Sequence, residues 1–307
     1  MPSQFGMMRL IVNPRAGRGM VGKTLPTLTA ALRANDLEFD IVETTGARYA
    51  SQAATEALKQ GIRYLVAVGG DGTVHEVVNG MFEGDEPIAP DAVLGIAAAG
   101  SGCDFVRTFG LDRKPEVIAR HLATDSTMDI DVGVAEYVGA DGAPGRSLFA
   151  NIAEVGYGAE VVRRVAGYPR WLGRVRYLIG AYAAIATNQR PTTEVTVDHT
   201  TKTVPLVELV VANGQFFGGA MKVAPRALPD DGKFNVQLFT GGRSQVFTLT
   251  MKMFRGEHLP HPDIAEYQSA TVSLAPDPPL LVEADGEVLG TTPAAFRLLP
   301  QALRLKI

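Results

Sequence analysis

The 307-residue sequence has one cysteine, one tryptophan and five histidines, and only 20% of its residues are charged. The lone Cys103 excludes a disulfide framework and any cysteine-rich zinc site, and fits a reducing, cytoplasmic compartment. Basic residues do not dominate: 29 Lys and Arg face 33 Asp and Glu, a formal charge of −4. A general nucleic-acid binder needs a basic footprint, so nucleic acid is not expected as a partner. The longest charge-free runs, Tyr177–Gln189 and Leu209–Met221, are 13 residues. A spanning helix needs about 20, so none is expected. The start, MPSQFGMMRLIVNP, lacks the basic segment and long apolar stretch of a signal peptide. What is plentiful is apolar and turn-forming: 46% hydrophobic residues, 33 Gly and 19 Pro. At this length, two domains with separate cores are expected.

Apolar runs at Arg9–Val12, Phe39–Val42, Tyr64–Val68 and Ala92–Ala98 each end in a glycine-rich turn or a cap. Between them, Thr24–Ala34 and Ala50–Gln60 space their apolar residues near 3.6. Short buried strands alternating with helices imply an α/β domain with a parallel sheet, whose ligands bind at the C-terminal strand ends. From Asp129 the texture changes to alternating segments such as TEVTVDH, VPLVELVVAN and KFNVQLF. These read as a mostly antiparallel β-sandwich, interrupted by helices over Tyr157–Asn188 and Ser244–His258. The expected division is residues 1–130 and 131–291, with a tail over 292–307.

Three glycine-rich turns follow strands of the first domain. The first, Asn13-Pro14-Arg15-Ala16-Gly17-Arg18-Gly19, offers backbone amides and two cations to phosphate oxygens. It overlaps a P-loop spacing, Gly17 to Thr24, which we set aside because four residues separate the strand from the first glycine. The second and most specific runs from Gly69 through Gly70, Asp71, Gly72, Thr73, Val74 and His75 directly off an apolar strand. Its glycines admit a phosphate, Thr73 is placed to cap the helix, and Asp71 is placed to meet a metal shell. The third contains Gly100, Ser101, Gly102 and Cys103, with a serine hydroxyl to offer a phosphate. Each turn alone also fits a plain strand-to-helix connection.

In order along nearly the whole chain, these segments resemble the diacylglycerol kinase catalytic family, which includes sphingosine kinases and bacterial lipid kinases. NPRAGRG matches its opening nucleotide loop and GGDGTVHEVVNG its most specific motif. The third turn departs from the family pattern, with Ala98 for Pro, Ser101 for Thr, Cys103 for Asn and Val106 for Ala. The NGQFFGGAMKVAPRALPDDGKF segment and Asp285-Gly286-Glu287 match two further motifs. The resemblance implies a Rossmann-like, phosphofructokinase-like first domain joined by the tail, and transfer of the γ-phosphoryl group of ATP to a lipid hydroxyl, a diacylglycerol-like one foremost, with Mg²⁺.

It implies nucleotide contacts from Asn13, Pro14, Arg15, Ala16 and Gly17, from Gly69 through His75, and from Gly100 and Ser101. Thr44 or Thr45, ending the second strand, joins them. Asp71 organises Mg²⁺ or its waters, and Glu287, or second to it Asp285, is the general base. A structural Mg²⁺ is implied at Asp231 with the carbonyls of Leu228 and Lys233.

Glu160–Arg190 holds six Arg and one acid, a local +5 next to apolar residues, which fits transient contact with an anionic membrane at its inner face. The expected partner is a lipid substrate, with a homodimer left open. Two rivals remain: a soluble-substrate kinase related to NAD kinase or phosphofructokinase, and a nucleotide-binding protein without catalysis.

Overall fold

The computed structural model describes residues 3–98, 103–169, 175–187 and 189–307. The chain divides into two units, Met1–Val132 with Leu299–Ile307, and Gly133–Leu298.

In the first unit, β1 (Met8–Val12), α1 (Ala16–Ala34), β2 (Phe39–Glu43), α2 (Tyr49–Lys59), β3 (Tyr64–Gly69) and α3 (Asp71–Gly80) follow one another. A small pair, β4 (Phe82–Glu83) and β5 (Glu86–Pro87), precedes β6 (Val93–Ala98), α4 (Phe105–Thr108), α5 (Pro115–Leu122) and the strand β7 (Thr127–Val138). β1 pairs in parallel with β2 and β3, and β3 pairs in parallel with β6. Every residue of β3 and β6 is buried, because helices cover both faces of the sheet. Helix α2 shows the pattern that does this: Ala50, Ala53, Ala54, Ala57 and Leu58 form its buried stripe. Val21, Leu28 and Leu32 of α1 pack with Leu10, Val66 and Ile118 in one core.

The second unit contains β8 (Pro144–Phe149), β9 (Ile152–Gly156), α6 (Tyr157–Gly167), α7 (Val175–Thr187), β10 (Thr192–Val197), β11 (Thr200–Pro205) and β12 (Glu208–Ala212). β13 (Phe234–Phe239), α8 (Arg243–Met253), β14 (Ile264–Ser269), β15 (Thr271–Leu274), β16 (Leu281–Ala284) and β17 (Glu287–Lys306) complete it. The antiparallel order is β14-β13-β12-β9-β16-β17, and β10 pairs with β11 and β15. Alternate residues Ala153, Val155, Leu209, Val211, Phe234, Val236 and Val282 face a core completed by Val195, Val272 and Phe296. The opposite face carries Ile152, Val210, Ala212 and Phe239, which pack with Tyr157, Ala184 and Leu249 from the three helices. Within this unit β17 pairs with β15 through Ala294–Arg297, and in the first unit Arg304 and Leu305 pair in parallel with β6. The expected fold class, a parallel α/β part followed by a mostly antiparallel one, is the one observed.

Candidate functional site

The parallel strands β1, β2 and β3 bring the first turn, Thr44 and Thr45, and the second turn to one edge of the first unit's sheet. Asn13 follows β1, donates its N–H to the Val68 carbonyl at 3.0 Å and accepts the Arg15 N–H at 3.2 Å. The next residues do not enter a regular helix. Gly17, Arg18 and Gly19 all hold left-handed conformations, with φ of 58°, 62° and 78°, so Pro14–Ala16 are set off from the rest of α1. Arg18 adopts a conformation that ordinary side chains avoid. Thr44 lies beside this loop, its N–H donating to the Val12 carbonyl at 2.8 Å, and Thr45 next to it is exposed.

β3 runs directly into Gly69 and Gly70. A Cβ at Gly69 would lie 2.2 Å from Thr73 Oγ1, so the turn closes only with glycine there. The N–H groups of Thr73 and Val74 close back onto the Gly70 carbonyl. Thr73 and His75 are buried, and Glu76 accepts the N–H of Ala50, holding the start of α2.

Asp71 does something its spacing did not reveal. Its carboxylate accepts the N–H of Asp104 at 2.9 Å and of Phe105 at 3.0 Å, anchoring the segment that follows the third turn. Burial pushes it up to about 7, the nearby Asp104 charge adding to the rise while the two amides oppose it. Cys103 is buried and its thiol is pushed up by burial, the opposite of an activated nucleophile. Gly100 and Ser101 lie outside the described residues, as do Arg170 and Arg174 of the arginine-rich stretch.

In the second unit Asp285 is buried with φ of 50°, and its carboxylate accepts three backbone N–H groups: Ala150 at 3.1 Å, Asn151 at 3.0 Å and Ile152 at 3.2 Å. It therefore ties the β16–β17 turn to the start of β9. Glu287, two residues on, opens β17 and is exposed. At the expected metal turn, Asp231 accepts the Lys233 N–H at 3.0 Å, and Leu228 and Asp231 are exposed. Among the described residues no group of three or more His, Cys, Asp or Glu is placed to hold a metal. A cation at this turn would rest on one carboxylate, with backbone carbonyls and water supplying the remaining oxygens.

A pocket under the helices is the feature the sequence reading did not find. It is a partly open cavity of about 130 Å³ between α6, α7 and α8 and the sheet. Its walls are mainly apolar, from Tyr157, Val161, Val210, Phe217, Phe239 and Met253, with Glu154 and Glu208 set among them. Ile179 and Tyr182 of α7, Met251 of α8 and Phe254 just after it are exposed. Arg163 and Arg164 both reach Glu160, at 2.6 Å each, which offsets part of the local positive charge. Among the described residues no helix is long and apolar enough to cross a membrane.

Residues 7–135 match the diacylglycerol kinase catalytic domain, and residues 151–307 match the YegS C-terminal NAD kinase beta sandwich-like domain. The chain belongs to the diacylglycerol kinase catalytic family. The kinase family in turn makes a phosphotransferase the coarse description of the chain. It is 27% identical to a diacylglycerol kinase of Mycobacterium tuberculosis, over 98% of this chain and 95% of that protein. A diacylglycerol kinase of Bacillus subtilis is 28% identical over 94% and 92% of the two chains. The crystal structure of a diacylglycerol kinase from Bacillus anthracis superposes with a TM-score of 0.72 at 20% identity, covering 99% of this chain and 97% of that one. That last likeness speaks for the fold alone.

Proposed function

We propose that this kinase transfers the γ-phosphoryl group of ATP to the hydroxyl of a lipid. The observation that carries the lipid half is the apolar pocket under α6–α8, since a water-soluble acceptor has no use for such walls. The loops Asn13–Gly17 and Gly69–His75, with Thr44 or Thr45 and Ser101, hold the phosphates. Asp71 holds Asp104 and Phe105 against the start of α3. Glu287 takes the proton of the attacking hydroxyl as its oxygen bonds to the γ-phosphorus. The bond from that phosphorus to the β–γ bridging oxygen breaks, and ADP leaves with the electron pair. Mg²⁺, when bound, neutralises charge on the β- and γ-phosphates. Asp285 keeps the turn that carries Glu287 in place through its three amide contacts.

The lipid lies in a membrane, and the exposed apolar residues of α7 and α8 are suited to meet it at an anionic surface. Incubation with labelled ATP, Mg²⁺ and a total lipid extract should give a labelled lipid identifiable by mass. Glu287→Gln should lower the rate about 10²–10⁴-fold. Wild-type rates in both Glu287→Gln and Asp71→Asn would overturn the assignment, and phosphorylation of a soluble acceptor without lipid would favour a soluble-substrate kinase.

A further inference from the structure

The β16–β17 turn that carries Glu287 is held at its base by the residues around Asn151. The Asp285 carboxylate takes the N–H groups of Ala150, Asn151 and Ile152, and the Asp285 N–H donates back to the Ile152 carbonyl at 2.9 Å. Asn151 is buried, and it reaches in the other direction as well. Its carbonyl accepts the N–H of Asn213 at 2.8 Å and of Gly214 at 2.9 Å, and its side-chain Nδ2 donates to the Phe216 carbonyl at 2.9 Å. The segment leaving β12 therefore hangs on the same residue that Asp285 grips. That segment runs straight into the pocket wall. Phe217 and Met221 exchange two backbone N–H···O bonds, each 3.0 Å, which close a short loop, and Phe217, Gly218 and Met221 line the pocket. The Lys222 N–H then donates at 2.8 Å to the carbonyl of Met253, another lining residue. Asparagine at 151 is not what stability alone would favour. Its Oδ1 is buried without a hydrogen-bond partner, and such an orphan acceptor costs stability. What its amide adds is one bond, to the loop that walls the pocket.

We propose that Asn151 is a positioning residue that ties the filling of the apolar pocket to the placement of Glu287. This rests on the lipid-kinase reading and deepens it, because the acyl chain then acts on kcat and not on binding alone. A chain that packs against Phe217 and Met221 steadies the loop, the loop steadies Asn151 through Phe216, and Asn151 steadies the Asp285 turn. A chain too short to reach the loop leaves that turn looser, and misplacing a reacting group by about 1 Å costs roughly 10²-fold in rate. Binding energy from a remote part of the substrate is thereby used at the reacting hydroxyl.

The test uses dibutyryl-, dioctanoyl- and didodecanoylglycerol in the same mixed micelles, with wild type, Asn151→Ala and Asn151→Leu. Labelled ATP gives kcat and KM separately for each lipid. Amide hydrogen exchange without ATP reads the N–H groups of Asp285 and Gly286, which donate to the Ile152 carbonyl and to Glu283 Oε2. Wild-type kcat should rise about tenfold or more from the shortest chain to the longest, and exchange at Asp285 and Gly286 should slow with it. In both variants kcat should stay within about twofold across the series, while KM still falls as the chain lengthens. A wild-type kcat that ignores chain length, or variants that lose rate equally with every lipid, overturns the inference while lipid phosphorylation stands. Chain-dependent slowing of exchange that the variants abolish, with no lipid labelled, overturns the kinase reading and leaves the inference intact. Absence of both labelling and slowing overturns both. If neither variant folds, exchange in the wild type decides: slowing at Asp285 and Gly286 that grows with chain length supports the inference, and its absence overturns it.

Discussion

The two faces of the second unit's sheet come from the same strands and are both buried, yet they differ in kind. One face presents Ala153, Val155, Leu209, Val211, Phe234 and Val236 to a dry core. The other alternates with it and places Glu154, Glu208, Glu283, Asn235 and Gln237 beneath helices, all buried. A face covered by helices for stability alone would be apolar, because each buried carboxyl must be kept from water. Some of these groups find partners: Gln237 Nε2 donates to the Val223 carbonyl and to Asn235 Oδ1, both at 2.9 Å. Others do not, as Gln237 Oε1 joins Glu154 Oε2 and Glu283 Oε1 without one. The dry face holds the unit together, and the polar face is kept at a cost to folding.

That contrast can be broken first on the dry face. Phe234→Ala should destabilise the protein by about 3–5 kcal/mol in urea unfolding, the range for a deeply buried aromatic. A loss below about 1 kcal/mol would mean that this face is not the main core of the unit. On the polar face the sign should reverse. Replacing the buried cluster through Glu283→Leu, or Glu208→Leu with Glu154→Leu, should be neutral or stabilising by about 1–4 kcal/mol.

The pH dependence follows from the same burial. Glu208 is pushed up from 4.5 to about 8, and Glu154 and Glu283 are also raised, burial being the leading cause for each. Between the unfolded and folded values the folded chain holds more protons, so its stability is full below about 4.5 and falls as pH rises through about 8. Unfolding followed from pH 5 to 8 should show this decline in the wild type and a flatter profile in the leucine variants. A rising profile would show the carboxyls to be paired rather than isolated. The smallest effect is expected at Gly158, where Gly158→Ala crowds the Glu154 and Glu208 carboxyls and should cost about 1–3 kcal/mol. No loss there would mean that α6 stands further from the sheet.

Much of this arrangement was legible in the sequence. The strands of the first unit showed as short apolar runs because both their faces are covered, and the helices of α2 and α6–α7 showed through their spacing. The broken start of α1 did not, since glycine permits a left-handed loop without announcing it, and Arg18 shares that conformation with no residue preference to betray it. The carboxyl cluster was hidden for another reason. A period of two tells which residues share a face but not what lies over that face. Glu208 in VPLVELVVAN therefore has the pattern of a solvent-facing residue, and only helices that arrive from residues 157–187 and 243–253 bury it. Its signal was the setting: an acid inside an otherwise unbroken apolar strand. Asp71 and Asp285 were found by their motifs, but their grip on distant amides depends on contacts 33 and 133–135 residues away, which local pattern does not encode.

One contact within the most specific motif limits how this protein can be recombined with its relatives. Glu76 reaches out of its own helix to the N–H of Ala50, at the start of the helix behind the second strand. A chimera that imports residues 69–80 alone would bring its own side chain at that position against a foreign loop. The two segments are therefore a single heritable block, and crossover points in a shuffled library belong before residue 44 or after residue 80, not between them.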